Sequence, residues 1–421
     1  MKPALRRFLK AASSRRELKL FIVVGWIIQP VSYMSRRWAV LAAIVLLAAV
    51  VVAEAFAIGY LASTNSQLGE ELKKLRGEYQ QLSEQLRELQ GKYQTAVARA
   101  SMFTDALGRE VRLDEVPRRV VSTLPSITEH LFVLGLGDRV VGVDSYSNWP
   151  PQVLELVNRG QIAVVGGPWT LDVEKIASLR PDLVLMGKGV KPQMAQFAPK
   201  LEEKGIRTFF LISNVAKDHY DIFADIMTLG KMFGVEERAR EVVKSIQQKI
   251  DNVTSRLVGV TKKPKVLKLT GPPAWGLISA GGDTFIGWLI TTAGGINIAS
   301  KYSGWPRLSY EEILSSNPEV IIVTVMGVDP KKVIEEISQT PLANTDAWRS
   351  GRVYVLIDEA DDLVVRPGPR IGEALAMVAQ IIHPEIFGEV QRRDVVKMAS
   401  AELRLVSQPS LMSVADIVVG I

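Results

Sequence analysis

The chain has 421 residues, enough for two or three domains at about 100–200 residues each. It has no cysteine, which excludes disulfides, thiolate metal sites, cysteine nucleophiles and a lipid-modified cysteine. Its high isoelectric point comes from the N-terminus: residues 1–60 hold nine Lys or Arg and two Glu, against a net charge of +6 for the whole chain. A basic domain that would bind nucleic acid is therefore excluded.

The N-terminal sequence predicts a membrane anchor. Residues 1–37 form a basic segment that we expect to be cytoplasmic, and its part before Met34 is not translated if synthesis starts at Met34. The stretch 38–60 is apolar except for Glu54, and about 20 apolar residues span a bilayer as a helix. Because the basic residues precede it, the pattern predicts a single-pass protein of the cell membrane with its bulk outside the cytoplasm. A cleaved secretory signal is the alternative.

Residues 66–97 predict a helical stalk. Apolar or aromatic residues recur there at steps of four and three, which is the spacing of a coiled-coil seam. The seam consists of Leu68, Leu72, Leu75, Tyr79, Leu82, Leu86, Leu89, Tyr93 and Ala96. This spacing favours a homodimer through the stalk, and a single solvated helix is the alternative.

The rest of the chain alternates short apolar runs with helical patterns, which predicts an α/β fold with parallel sheets. An N-terminal lobe at 103–217 contains the strands RVVST, RVVGV, IAVVG, DLVLM and RTFFLI. Its first helix is expected to begin with a capping box formed by Ser126 and Glu129. Residues 218–256 predict one long connecting helix. A C-terminal lobe follows at 264–403, with the strands KVLKLT, EVIIV and RVYVLI, and a tail at 404–421.

One segment occurs twice. LDVEKIASLRPDLVLM at 171–186 matches LSYEEILSSNPEVIIV at 308–323 in its Leu, Glu, Ile, Ser and Pro positions, and a Trp precedes each copy. Each copy predicts a short helix, a proline turn and a buried strand, with Ser309 and Glu312 as a capping box in the second. The shared acids Glu174 and Glu311 stand in the first helical turn, where the helix dipole alone would favour them. The repeat therefore indicates two lobes of the same construction.

Aromatic residues concentrate in the loops expected at the carboxyl ends of the strands, where open α/β sheets bind ligands. They are Tyr146, Trp149, Trp169, Trp275, Tyr302 and Trp305. Any one of these indoles could pack locally under its loop. Together they favour an aromatic cleft for a large, flat or apolar ligand.

The ordered motifs resemble the iron-siderophore and vitamin B12 class of substrate-binding proteins of ABC importers. The resemblance covers about residues 103–388 and rests on TLPSITEHLFVLGLGDRVVGVDSYSNWPP, VGGPWTLDVEKIASLRPDLVLMG, LTGPPAWGLISAGGDTF and RLSYEEILSSNPEVIIVT. It implies a class III periplasmic-binding fold, with two Rossmann-like lobes joined by one long helix. It also implies an ABC permease and its ATPase as partners, with Glu174 and Glu311 docking on the permease. The ligand contacts that we expect are Pro125, Ser126, Tyr146, Trp149, Trp169, Lys188, Trp275, Trp305 and Arg366.

The ligand suggested by this resemblance is a metal chelate, with cobalamin or another corrinoid favoured and a ferric siderophore or haem next. We expect no resident cofactor, no metal site and no catalytic residues. The acidic cluster Asp358, Glu359, Asp361 and Asp362 could bind Ca²⁺ or form a solvated loop. A ligand-sensing surface receptor and an α/β enzyme are the alternative functions, although no dinucleotide fingerprint follows the first strand.

Overall fold

The computed structural model describes residues 36–61, 67–325 and 327–398. The chain divides into two compact units, Met1–Ser101 and Met102–Ile421. Nearly all of the predicted basic segment 1–37, the alternative start at Met34 and the predicted tail 404–421 lie outside the described residues.

The first unit contains two helices, α1 at Arg36–Leu61 and α2 at Gln67–Ala100. Both stretches are helical, as the sequence predicts. Within the described part of the chain, however, no helix combines the length and the apolarity that a membrane crossing requires, and the single-pass anchor predicted at 38–60 has no support from the structure. The seam residue Leu75 is half-buried on α2, whereas Tyr79 and Leu89 are exposed. Self-association of the stalk stays a prediction.

The second unit alternates strands and helices. Its strands are β1 Met102–Thr104, β2 Glu110–Arg112, β3 Val120–Ser122, β4 Val140–Val143, β5 Ala163–Val164, β6 Gly166–Gly167, β7 Thr170–Leu171, β8 Leu183–Gly187, β9 Thr208–Leu211, β10 Lys265–Thr270, β11 Ile296–Asn297, β12 Val320–Thr324, β13 Val353–Leu356 and β14 Val395–Lys397. Its helices are α3 Pro125–Val133, α4 Gln152–Asn158, α5 Val173–Ser178, α6 Ala198–Glu203, α7 His219–Phe233, α8 Glu236–Arg256, α9 Phe285–Thr292, α10 Tyr310–Ser316, α11 Pro330–Ser338, α12 Asp346–Arg349, α13 Asp358–Val365, α14 Ile371–Ile382 and α15 Pro384–Phe387.

Two five-stranded sheets define two lobes, which we call lobe 1 (103–217) and lobe 2 (from residue 264 onward). The lobe 1 sheet has the order β5-β4-β3-β8-β9, and all its strand pairs are parallel. The lobe 2 sheet has the order β11-β10-β12-β13-β14, which is parallel except for the antiparallel edge strand β14. Every residue of β8 and of β12 is buried, as expected for parallel strands covered on both faces.

The repeated segment occupies the same place in both lobes. β8 lies between β3 and β9, and β12 lies between β10 and β13. The residue before the shared proline adopts a left-handed conformation in each copy, with φ of 47° at both Arg180 and Asn317. The predicted capping box of Ser309 and Glu312 is present at the start of α10. In the first copy, Asp172 caps α5 instead, and its carboxylate accepts the Lys175 N–H at 2.9 Å.

The predicted single connecting helix is wrong, because the segment folds as two packed helices. α7 ends at Gly234, whose φ of 70° suits glycine best, and α8 starts two residues later. Gly230 of α7 lies so close to Ala239 of α8 that an added methyl group would approach its side chain to 2.4 Å. The two glycines therefore reverse the chain and allow close helix packing.

Two further local predictions are wrong. Ser126 and Glu129 do not form a capping box: the N-cap of α3 is Leu124, two residues before Ser126, and no side chain caps the helix. The acidic segment DEADDLVV is a helix, α13, and its Asp361 is buried, so it is not a solvated loop. The sequence pattern also missed the antiparallel hairpin β1–β2 and the edge strand β14.

The largest hydrophobic core runs through both lobes. It joins Leu131 of α3 and Ile226 of α7 to Ile246 of α8 and to Leu375 and Val378 of α14. Each lobe has a second cluster on the other face of its sheet. Because α7, α8 and α14 pack in the shared core, they fix lobe 1 against lobe 2 and position the loops described next.

Candidate functional site

The loop after β4 presents two of the predicted ligand contacts, Tyr146 and Trp149, and a buried carboxylate holds its shape. Asp144 accepts the Tyr146 N–H at 2.8 Å and the Ser147 hydroxyl at 2.5 Å. The Ser147 hydroxyl also lies 2.7 Å from the Thr128 hydroxyl of α3. Burial raises the pKa of the Asp144 carboxyl to about 6, although these hydrogen bonds and nearby Arg366 act in the opposite direction. The loop is therefore anchored from beneath by a polar cluster.

The aromatic side chains of lobe 1 lie on adjoining loops. Tyr146 is 51% exposed, and Trp169 at the turn between β6 and β7 is 53% exposed. A methyl group on Gly167 of this turn would lie 3.7 Å from the Tyr146 ring. Trp149 is half-buried, with the Arg370 guanidinium 4.6 Å from its ring centroid. Cation–π contact orients this indole.

The other predicted contacts of lobe 1 stand at the ends of strands. Pro125 is the first residue of α3 and is half-buried, and Ser126 is buried with its hydroxyl 2.9 Å from that of Ser213. Lys188 follows β8 and is exposed, and its backbone N–H donates to Leu211. Of the three, Pro125 and Lys188 present surface to a ligand in this conformation.

Lobe 2 contributes Trp275 and Trp305, which are 49% and 48% exposed. Their loops are joined by backbone hydrogen bonds, among them Ser279 N–H to Pro306 and Leu308 N–H to Leu277. Trp275 packs directly on Gly271, where an added methyl group would come within 2.2 Å of the indole. Among the described residues, no ring-to-ring contact joins two of the four loop tryptophans. The indoles are therefore open surfaces and do not form a packed aromatic core.

A buried ion cluster joins the two lobes beside these loops. Glu129 of α3 lies 2.7 Å from Arg370 and 3.1 Å from Arg366, and the three side chains are almost fully buried. Arg366 also donates to the Asn148 side-chain oxygen at 2.7 Å and pairs with Asp362 at 2.6 Å, while Asn148 donates to Asp362 at 2.9 Å. Arg366, predicted to contact ligand, is thus held by protein groups of both lobes.

The sequence analysis missed the role of Glu129. Its spacing from Ser126 matched a capping box, and that local interpretation hid its partner Arg370, which immediately precedes α14. The available signal was its position inside the apolar run ITEHLFVL, because a carboxylate among buried residues requires a buried cation.

The two predicted docking acids are on the surface at equivalent places. Glu174 is exposed in the first turn of α5 and lies 2.9 Å from the Lys204 ammonium. Glu311 is exposed in the first turn of α10. In the part of the chain that the structure describes, no group of three or more His, Asp or Glu is arranged to hold a metal ion, the acidic cluster of α13 included.

Comparison with known proteins agrees with this geometry. The family described as "Periplasmic binding protein" matches residues 120–360. An uncharacterized ABC transporter substrate-binding lipoprotein of Bacillus subtilis is 31% identical over 68% of this chain and 86% of its own length. The vitamin B12-binding protein of Photorhabdus laumondii is 29% identical over 63% of this chain and 87% of its own.

Solved structures show the same fold. A periplasmic heme-binding protein from Pseudomonas aeruginosa superposes with a TM-score of 0.58 at 25% identity, over 68% of this chain and 99% of its own. The vitamin B12-binding protein of Vibrio cholerae superposes with a TM-score of 0.52 at 23% identity, over 63% and 97%.

Proposed function

Because the chain belongs to the periplasmic binding protein family, we propose that it is the solute-binding receptor of an ABC importer and holds a bulky metal chelate between its two lobes. Family membership agrees with the two-sheet architecture and with the predicted resemblance. The relatives are binding proteins, which points to capture and delivery of a solute.

One observation carries the proposal: both lobes present half-exposed indoles on loops at the carboxyl edges of their sheets. Trp169 of lobe 1 and Trp275 and Trp305 of lobe 2 each leave about half of their surface open. Aromatic side chains offer large apolar faces at a low cost in conformational entropy, and they are suited to the flat face of a macrocycle. The buried cluster around Glu129 supports the same conclusion, because it fixes the two lobes beside the loops.

Cobalamin is the first candidate ligand, haem the second and a ferric siderophore the third. The Photorhabdus relative is named for vitamin B12, and so is a cobalamin-binding protein of Halobacterium salinarum that is 28% identical over 66% of this chain. The Pseudomonas structure is named for heme. A corrin and a porphyrin are both flat macrocycles on which exposed aromatic side chains can stack.

The ligand is tested by titrating the full chain with cyanocobalamin, hemin and a ferric siderophore while recording tryptophan fluorescence. We expect saturable quenching with one member of the panel. Trp169→Ala and Trp305→Ala should each weaken that binding about tenfold, since a stacked aromatic contributes on the order of 1 kcal/mol. Tyr220→Ala removes an exposed aromatic outside these loops and should leave affinity unchanged. Absence of saturable quenching with all three ligands contradicts the proposal, and mass spectrometry of the natively purified chain identifies the compound directly.

Delivery to the permease is assigned to Glu174 and Glu311. Both are exposed, they start equivalent helices of the repeated segment, and one stands on each lobe. Carboxylates placed in this way suit basic residues on the two halves of a transporter, and such pairs govern orientation and encounter rate more than affinity.

This assignment predicts that Glu174→Ala and Glu311→Ala leave ligand affinity within about twofold while uptake through the reconstituted permease falls about tenfold or more. Glu203→Ala and Glu335→Ala provide one matched control for each lobe, since both acids are exposed on short helices. Loss of ligand affinity in the docking variants, or equal loss of uptake in the controls, would contradict the docking role.

A further inference from the structure

Strand β10 carries a buried lysine. Lys268 stands between the buried residues Leu267 and Leu269 of the lobe 2 sheet, and only 1% of its surface is exposed. Strands in the middle of parallel sheets are normally apolar, and lysine is rarely buried unless it is paired. Packing alone therefore does not explain why a lysine occupies this buried position.

The ammonium group of Lys268 points toward the loops that carry the indoles. It donates to the hydroxyl of Thr270, which lies two residues further along the same face and ends the strand. The Trp305 ring covers it, with the ammonium nitrogen 5.4 Å from the ring centroid. Trp305 is itself half exposed. The buried cation therefore lies against an indole whose surface is half open to the proposed cleft.

Burial disfavours the positive charge of Lys268. Asp361 on α13 favours the charged form, but burial outweighs it and lowers the pKa of Lys268 to about 7. The Asp361 carboxylate is also engaged by the Val325 N–H at 3.2 Å. An additional negative group at this ammonium would stabilise its charged form.

We propose that Lys268 binds an anionic oxygen group of the captured chelate, a carboxylate or a phosphate, when the Trp305 indole turns away from the ammonium. This inference rests on the proposed function and narrows it to chelates that bear such a group at their edge. Trp305 then has two roles: it shields the cation in the empty protein and stacks on the macrocycle in the filled one. Lys268 thereby becomes a specificity residue that separates anionic from neutral chelates.

Two ligand pairs distinguish the sources of the anion. Hemin and its dimethyl ester differ in their carboxylates, and cyanocobalamin and dicyanocobinamide differ in the phosphate-bearing nucleotide arm. Each is titrated against the full chain by tryptophan fluorescence. In one pair, the wild type should bind the member that carries the carboxylates or the phosphate about tenfold or more tightly than the member without them, as expected for a hydrogen bond to a charged group.

Lys268→Met keeps the length of the side chain and removes its charge. We expect it to abolish the preference, mainly by weakening the anionic ligand, and Lys268→Arg to retain much of it. Lys244→Met, an exposed lysine on α8, is the matched control and should behave as wild type. Thermal unfolding of each variant separates loss of fold from loss of contact, and Lys268→Arg keeps the test decisive if Lys268→Met does not fold.

A preference that survives in Lys268→Met overturns the role of Lys268 and leaves the proposed receptor function standing. A wild type that shows no preference within either pair does the same. If the wild type shows no saturable binding to any of the four compounds or to the ferric siderophore, both the proposed function and this inference are overturned.

Discussion

The two lobes share one repeated segment but hold their aromatic loops by different means. In lobe 1 the loop of Tyr146 and Trp149 is fixed by buried side chains: Asp144 from beneath and Arg366 from the other lobe. In lobe 2 the loops of Trp275 and Trp305 are fixed by backbone hydrogen bonds and by close contact at Gly271. Buried charged side chains therefore hold the loop on the lobe 1 side of the proposed cleft. Backbone hydrogen bonds and steric contact hold the loops on the lobe 2 side.

Removing Glu129 should give the largest loss of stability. It tests whether buried charges hold lobe 1 against lobe 2. Glu129→Ala leaves Arg366 and Arg370 buried without their shared carboxylate, and breaking a buried ion pair costs about 3–5 kcal/mol. Urea denaturation measures the change in the free energy of unfolding. Glu359→Ala removes a half-exposed partner of the same Arg370 and should cost less than about 1 kcal/mol. Equal effects would show that the buried cluster has no special part in joining the lobes.

Asp144 should make the free energy of unfolding depend on pH. Its pKa is raised to about 6 in the folded protein, whereas an unfolded carboxyl titrates near 3.8. The folded state keeps the proton longer, so the stabilising contribution of the neutral carboxyl is complete below about pH 4 and is lost as the pH rises to 6. Between pH 4 and pH 7 the wild type should lose about 2.5 kcal/mol relative to Asp144→Asn, most of the roughly 3 kcal/mol that corresponds to a pKa of about 6 against 3.8 at 1.36 kcal/mol per pKa unit.

Urea denaturation of both proteins at pH 4, 5, 6 and 7 measures this difference. Asp225 is also buried and has a pKa raised to about 7, but it is present in both proteins, so its own titration cancels in this comparison. A difference between wild type and Asp144→Asn that does not change with pH would contradict the assignment.

The fold could be predicted from the sequence wherever local signals suffice. The apolar runs of β8 and β12, the proline turns before them and the capping box at Ser309 all depend on residues that are neighbours in the chain, and the structure contains each of them. The repeat also placed both exposed acids correctly in a first helical turn. The two glycines of segment 218–256 were visible, but whether a helix continues through Gly234 depends on what packs against it.

The polar part of the candidate site could not be predicted, because its partners are distant in sequence. Ser126 and Glu129 have the same spacing as Ser309 and Glu312, yet only the second pair forms a capping box. Glu129 instead meets Arg370, which is 241 positions away. A buried cation is a stronger partner for a carboxylate than a backbone amide at a helix end, so tertiary contact overrode the local pattern. Lys268 was missed for the same reason, since it reads as one residue of an ordinary strand.

Gly271→Ala tests whether steric contact holds the loop of Trp275 in lobe 2. Of the main variants at Glu129, Asp144 and Gly271, it should have the smallest effect on stability. It has a φ of 86°, and an added methyl group would lie 2.2 Å from the Trp275 ring. Gly271→Ala should therefore cost about 2 kcal/mol, from the left-handed backbone and from displacement of a half-exposed indole, and should change the tryptophan emission. Gly108 has a similar φ of 80° with open space around it, so Gly108→Ala should cost about 1 kcal/mol and leave the emission unchanged. If both variants lose the same stability and neither alters the emission, then Trp275 is not held by contact with Gly271, and the two sides of the cleft do not differ in the way described.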